Sequence, residues 1–246
     1  MIELSCDLGE ASDESGRAVE RELWTLIDAA NVACGGHAGD DASMREAARI
    51  AAGRGIILGA HPSYPDRENF GRVSMKLHPR ELRRALIHQL STFAAIAARE
   101  DVAVQRVKAH GALYNDAHRD RELAELLAEV VKSIDESLSI VVGDTSEMAL
   151  SARGRGLHVI REAFVDRRYM PDGSLVSRKD PDALLSVDEA AEQAVLLATK
   201  RQVIARGGAP LSLEFDTLCI HADTPRAVER ARAIRDRLGG QAILPV

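Results

Sequence analysis

Four histidines, His37, His61, His110 and His221, each fall at or just past the end of a short apolar run, and an acid, Asp7, ends a fifth. The runs read Asn31-Val-Ala-Cys34, Ile56-Ile-Leu-Gly-Ala60, Gln105-Arg-Val-Lys-Ala109, Thr217-Leu-Cys-Ile220 and Ile2-Glu-Leu-Ser-Cys6. If they are parallel strands of one sheet, five ionisable side chains meet on one rim, outside the carboxyl ends of the strands. Active sites of α/β proteins sit on that rim. Imidazoles titrate near neutrality and carry protons. Imidazole and carboxylate together also suit zinc and related metals, so Asp7, His37 and His61 form a candidate ligand set for a divalent ion there. The pattern predicts an enzyme.

Other constellations add to the same rim. In Val107-Lys-Ala-His-Gly-Ala-Leu-Tyr-Asn115, Lys108 and His110 are two apart and point the same way on an extended chain. A lysine at the inner end of a strand calls for a partner carboxylate or an anionic substrate. Gly111 permits a tight turn, and Tyr114 and Asn115 follow it toward the substrate. In Ala33-Cys-Gly-Gly-His-Ala-Gly-Asp40, glycines surround His37, and Asp40 or Asp41 can cap the helix that carries Met44, Ala47, Ala48 and Ala51. His61 opens a loop holding Asp66 and Arg72, and Arg161-Glu-Ala-Phe-Val-Asp-Arg167 offers Glu162, Asp166 and Arg167 after a strand. No GxGxxG or P-loop is present. His78, His88, His118 and His158 lie away from strand ends and read as surface or structural.

The elements that must position these residues are strands near 2–7, 29–34, 56–60, 104–109, 138–143, 157–162 and 216–221, alternating with helices. Leu123, Leu126, Leu127, Val130, Val131 and Ile134 recur at helical spacing. Segment 79–99 starts with Pro79 and aligns Leu82, Leu86, Leu90 and Phe93 on one face. Ser186 and Glu189 predict a capping box for a helix running to about Arg206, stopped by Gly207 and Gly208. Thr224-Pro225 opens the last helix and Gly239-Gly240 closes it. Strand–helix alternation with apolar strands predicts a parallel sheet covered by helices. Seven such units suggest a barrel, with a doubly wound sheet as the alternative. The segment from Ala60 to Pro79 has little periodicity and leaves a strand end, so it should lie over the site.

Composition narrows the function. The 246 residues, 46% apolar and 28% charged, suit one domain spanning 1–246. A net charge of −6 and 3% aromatic content argue against nucleic acid. No run is long enough to span a membrane, and the first residues do not read as a secretory signal. The three cysteines, Cys6, Cys34 and Cys219, lie inside apolar runs and form no CxxC pair. They read as buried free thiols of a cytoplasmic protein.

Taken together, Cys6-Asp-Leu-Gly-Glu10, Asn31-Val-Ala-Cys-Gly-Gly-His-Ala-Gly-Asp40, Gly59-Ala-His-Pro-Ser-Tyr-Pro-Asp66, Phe70-Gly-Arg72, Lys108-Ala-His-Gly-Ala-Leu-Tyr-Asn115, Arg161-Glu-Ala-Phe-Val-Asp-Arg167, Asp172-Gly-Ser-Leu-Val-Ser-Arg178 and Cys219-Ile-His-Ala-Asp-Thr-Pro225 resemble the LamB/YcsF lactam-utilisation family over nearly the whole chain. The resemblance implies a distorted seven-stranded (β/α) barrel, related to glycoside hydrolase and deacetylase barrels of carbohydrate metabolism. It also implies a 5-oxoprolinase: ATP-dependent opening of the lactam ring of 5-oxoproline (pyroglutamate) to L-glutamate, with Mg2+-ATP bound and the work shared with two partner subunits. The chain departs from the family pattern at Ala11-Ser-Asp-Glu-Ser-Gly16 and has Gly36, Val73, Ala109 and Ala222 where the family commonly has phenylalanine, arginine, proline and glycine.

Opening a lactam needs an activated carbonyl, a nucleophile and a protonated leaving nitrogen. On this reading Asp7 is the base and His110 the acid, with Lys108, Glu162 and Asp166 also catalytic. Lys108 and Arg72 supply cations for an acidic substrate or phosphorylated intermediate, and Glu10, Arg72, Tyr114, Asn115 and His221 bind substrate. Two other readings stay open. One is a metal-dependent amidohydrolase or deacetylase that needs no ATP. The other is a non-catalytic subunit that binds a small acid.

Overall fold

The structure, a computed structural model, describes residues 2–239. Seven parallel strands close into a barrel in the order β1 (Glu3–Leu8), β2 (Ala29–Ala33), β3 (Ile57–His61), β4 (Val104–Val107), β5 (Ser139–Val142), β6 (Val159–Phe164) and β9 (Thr217–His221), which pairs with β1. The barrel, rather than the open sheet, is the solution adopted. Each strand lies within a few residues of the apolar run that predicts it.

The strands alternate. Leu4, Cys6 and Leu8 are fully buried and join the apolar cluster that includes helical side chains, while Glu3, Ser5 and Asp7 reach across the lumen. Glu3 accepts from Arg106 at 2.7 and 2.8 Å, although β1 and β4 are not neighbours. Thr217 donates to Ser5 at 3.2 Å one layer higher. A Cβ at position 59 would come within 2.7 Å of the Arg106 stem and 2.8 Å of Asn31 Oδ1, so Gly59 clears the arginine's path. The lumen is thus a polar core at the centre of an apolar shell.

Helices α2 (Asp41–Arg54), α3 (Pro79–Arg99), α5 (Arg121–Ile134) and α8 (Ala227–Gly239) fall where periodicity predicts them. Asp40 caps α2 in a box with Ser43. Leu82, Leu86, Leu90 and Phe93 of α3 are buried. Thr224 and Pro225 lie in the turn before α8, whose expected stop at Gly240 is outside the described residues.

Helix α7 (Val187–Lys200) has the predicted Ser186–Glu189 box but ends at Lys200, not near Arg206. Arg201 turns left-handed, and the chain makes a hairpin of β7 (Gln202–Ile204) and β8 (Pro210–Ser212), with Gly207 and Gly208 in its turn. Three residues are too few for an alternation signal. Helices α1 (Glu14–Leu23), α4 (Gly111–Ala117) and α6 (Glu147–Gly154) complete the set. The segment between β3 and α3 has no regular structure except turns and folds back on α4, where Ala112 donates to the Gly71 carbonyl at 2.9 Å.

Candidate active site

The strand ends do converge. Asp7 sits in register with Asn31 on one side and His221 on the other. Lys108, 2% exposed, extends into the lumen, with its ammonium 3.0 Å from Asp7 Oδ2 and 2.9 Å from Glu162 Oε2. It also donates to Cys219 Sγ at 3.1 Å and lies 5.0 Å from the Phe164 ring centroid. Asn31 donates to Asp7 Oδ1 at 2.9 Å. A buried lysine needs such partners, and two carboxylates supply them, so Lys108 does not reach solvent. Burial alone would raise the Asp7 carboxyl and lower the Lys108 ammonium. The opposite charges outweigh it, Lys108 for Asp7 and chiefly Asp7 for Lys108, so Asp7 is held low and Lys108 well above its usual value. Tyr114 accepts from Gly143 N at 3.0 Å, and burial and the Glu162 charge push its hydroxyl far up.

A second cluster lies beside this one. Ligand atoms of Glu10, His37, His61 and His110 all fall within 4.8 Å of one another. His61 Nδ1 is 2.7 Å from the Lys108 carbonyl and so carries the proton, leaving Nε2 bare. His110 Nε2 donates to the Phe70 carbonyl at 2.9 Å, leaving Nδ1 bare. The two bare nitrogens are 3.0 Å apart, and Glu10 Oε1 lies 3.1 Å from His110 Nδ1 and 3.7 Å from His61 Nε2. Lone pairs this close repel unless a proton or a metal ion lies between them. His37 Nε2 is 2.9 Å from Glu10 Oε1, its ring stacks on His110 at 3.6 Å, and its Nδ1 is a buried atom without a partner. Burial lowers His61 to about 3, and His37 to a lesser degree. Three imidazoles and a carboxylate so placed fit a divalent metal such as zinc.

This changes the expected ligand set. The sequence puts forward Asp7, His37 and His61, but Asp7 turns both oxygens to Lys108, and its closest approach to His61 Nε2 is 3.4 Å. Glu10 and His110 take its place.

The third element is a pair. Asp166, fully buried, accepts from His221 N at 2.9 Å and from His221 Nδ1 at 3.0 Å. That carboxylate fixes the tautomer and leaves Nε2 bare, with the ring stacked on Phe164 at 5.4 Å and 11% of the side chain exposed. Burial would raise Asp166, but His221 outweighs it and holds it low. The Asp166 carboxylate is thus committed to orienting His221.

Two expected residues lie off the cluster. Asn115 is exposed on α4, and its side chain makes no hydrogen bond among the described residues. Arg72 is at the surface, paired with Asp223 and stacked on Phe70 at 4.8 Å. The four histidines expected to be surface or structural stay out of the cluster, and all three cysteines are buried and free. Sequence reasoning misses Asn31 and Phe70. Asn31 can be found by counting two residues back from the end of its strand. Phe70 has no signal, because its role comes from a left-handed backbone (φ 54°) that aims its carbonyl at His110 and its ring at His37 and His110. A cavity of about 650 Å³ reaches Glu10 and His37 from outside, walled by Arg17, Trp24, Arg67 and Phe70.

The LamB/YcsF family profile matches residues 2–244. The chain belongs to the LamB/YcsF family. It is 40% identical over 243 residues to the 5-oxoprolinase A subunit of Methylococcus capsulatus (strain Bath), covering 98% of this chain and 94% of that protein. A crystal structure of the lactam utilization protein from Thermus thermophilus superposes with a TM-score of 0.88 at 37% identity, covering 97% of this chain and 96% of that one. Membership extends to the fold: the barrel implied by the motifs is the barrel observed. Among the described residues no helix is long and apolar enough to cross a membrane.

Proposed function

We propose that this chain is the A subunit of a 5-oxoprolinase, opening the lactam ring of 5-oxoproline to L-glutamate. The observation that carries the reading is full-length similarity, at 40% identity, to a protein of that name. Support comes from a rim with three kinds of chemistry: a buried ionic group, a cation-demanding histidine cluster and an oriented imidazole. The amide is stable, so ring opening draws on ATP as co-substrate to activate the carbonyl oxygen, within an assembly that includes two partner subunits. Asp7, ionised and fixed by Lys108 and Asn31, orients the attacking water. His221, held by Asp166, takes the proton of that water at its bare Nε2 and passes it to the departing ring nitrogen as the C–N bond breaks. This role passes to His221 because both His110 nitrogens are engaged, one by Phe70 and one by the Glu10 cluster. The test mixes the chain with its partner subunits, 5-oxoproline and ATP and measures glutamate. Turnover should need ATP and fall about 100-fold or more in Asp7→Asn and in His221→Ala. Wild-type rates in both variants would overturn these roles, and no glutamate at all would overturn the reading.

A second reading, a metal-dependent amidohydrolase, is favoured by one observation, the convergence of Glu10, His37, His61 and His110. A divalent ion held there would polarise the scissile carbonyl. Elemental analysis of untagged protein before and after chelator separates the two. One ion per chain, lost in Glu10→Gln, with ATP-independent and chelator-sensitive activity, supports the metalloenzyme. Metal-free protein with ATP-dependent activity removes it.

A further inference from the structure

Above the barrel mouth two guanidiniums converge on one carboxylate. Asp223 in the loop after β9 pairs with Arg72 from the loop after β3 and, at 3.0 and 3.3 Å, with Arg178 from the loop after β6. Neither arginine has another ion pair among the described residues. Close by along the chain, Arg167, 5% exposed, donates to the carbonyl of Val176, two residues before Arg178, while its Nε has no partner among the described residues. Burial and the Arg178 charge lower Arg167 to about 10 against the opposing charges of Asp166 and, more weakly, Asp223. Two guanidiniums therefore share the one Asp223 carboxylate, so this cluster carries net positive charge although the chain carries −6 overall.

We propose that Arg72 and Arg178 form the docking site for the carboxylate of a small organic acid, and that Asp223 occupies this site while the substrate is absent. The inference deepens the lactam reading and rests on it for the identity of the acid, since 5-oxoproline carries one carboxylate. Guanidinium recognises carboxylate through paired, charge-assisted hydrogen bonds, and an internal carboxylate is a direct mimic of the ligand. All three side chains are solvent-accessible, 42% for Arg72, 32% for Arg178 and 24% for Asp223. Exposed ion pairs are weak, so exchange of one carboxylate for another is facile.

The site is wired to the chemistry on both sides. The Arg72 guanidinium stacks on Phe70, whose ring meets His37 and His110 edge-on at 5.2 and 5.3 Å and whose carbonyl accepts from His110. Asp223 follows His221 by two residues, and Arg167 follows Asp166 directly. A substrate carboxylate held here therefore lies beside Phe70, which contacts the histidine cluster, and on the loop that begins at His221.

The test is calorimetric titration of the full-length chain with 5-oxoproline, with 2-pyrrolidinone (the same lactam without the carboxylate), with succinate and with inorganic phosphate. Variants are Asp223→Asn, Arg72→Gln and Arg178→Gln, each checked for folding by circular dichroism. An internal occupant lowers apparent affinity, so Asp223→Asn should tighten 5-oxoproline about 10-fold, while each arginine variant weakens it by about the same factor. Binding of 2-pyrrolidinone should not respond. A purely structural clasp predicts the reverse for Asp223→Asn, because opening the loops would weaken binding, and that result overturns the proposal. Arginine-dependent binding of phosphate with 5-oxoproline insensitive would also overturn it, giving the site to a phosphate. If 5-oxoproline fails to bind but succinate shows the predicted pattern, the carboxylate site stands and the 5-oxoproline reading falls. Absence of binding by every anion overturns the site itself.

Discussion

At the residue scale the decisive feature is that the lumen stores charge in compensated groups. Lys108 is matched by Asp7 and Glu162, so removing the cation leaves two carboxylates buried without it. Lys108→Met should lower stability by about 3–5 kcal/mol. Adding Asp7→Asn should restore part of that loss, because the two residues share one interaction and their effects do not add. Urea unfolding of the two single variants and the double variant measures the coupling; simple additivity would show that Asp7 and Lys108 do not depend on each other. Residue types at strand ends make much of this legible. Lysine at an inner strand position demands an acid, and Asp7 and Glu162 are both among the candidates. What stays hidden is the partition of those candidates into groups. Nothing local tells Asp7 to face Lys108 and leaves Glu10 to the histidines, because that choice depends on where the chain turns after β1. Nor can spacing tell that Asp166, 55 residues from His221, fixes its tautomer.

At the element scale the strands are legible because each is a short apolar run with a polar residue at its end, and the longer helices because their stripes repeat over three or more turns. Helix α4 is not, since Gly111 after His110 reads as a turn. The structure explains the glycine differently. Position 111 is the first residue of α4 at φ 56°, and a Cβ there would press to within 2.6 Å of the Gly71 carbonyl, the acceptor that holds the loop over the histidines. Gly111→Ala should therefore destabilise the chain by about 1–3 kcal/mol through backbone strain alone and also shift His110. Gly53, inside α2 with open space around it, is the control: Gly53→Ala should stabilise by roughly 1 kcal/mol. Equal effects in thermal melts would contradict the argument. Gly36 belongs with these two for a reason of space, not backbone. A Cβ there runs into Ser63 Oγ and Gln89 Oε1, and Gln89 also clamps the Ser63 backbone at both ends, with bonds of 3.0 and 2.9 Å. A phenylalanine at position 36, as the family commonly has, does not fit beside that buried amide.

For the whole molecule, the two ends of the barrel do different work. The mouth holds the reactive groups, while the opposite end carries Glu3 and Arg106, whose bidentate pair crosses the lumen at 2.7 and 2.8 Å. Arg106 is 3% exposed and its Nε has no partner, so the pair is what makes its burial tolerable. Burial would raise the Glu3 carboxyl, but hydrogen bonding and charge from Arg106 outweigh it and hold the group below its usual value. A carboxyl whose pKa is depressed by folding stabilises the native state above its unfolded pKa, about 4.3. As pH falls, the unfolded chain takes up the proton first, and the contribution is gone once pH passes below the folded pKa. Glu3→Gln removes this one titration and leaves every other carboxyl in place. The gap in melting temperature between wild type and variant should be constant from pH 7 to about pH 5, then close as pH falls below about 4.3, because wild type alone loses the pair. A gap that persists unchanged to pH 3 would mean that Glu3 acts by packing and not by charge. The polarity of the seal has a consequence for function. A barrel closed at its base by an ion pair takes substrate from the mouth side, where the loops that carry Arg72, Arg178 and Asp223 lie and where the cavity walled by Arg17, Trp24, Arg67 and Phe70 reaches Glu10 and His37.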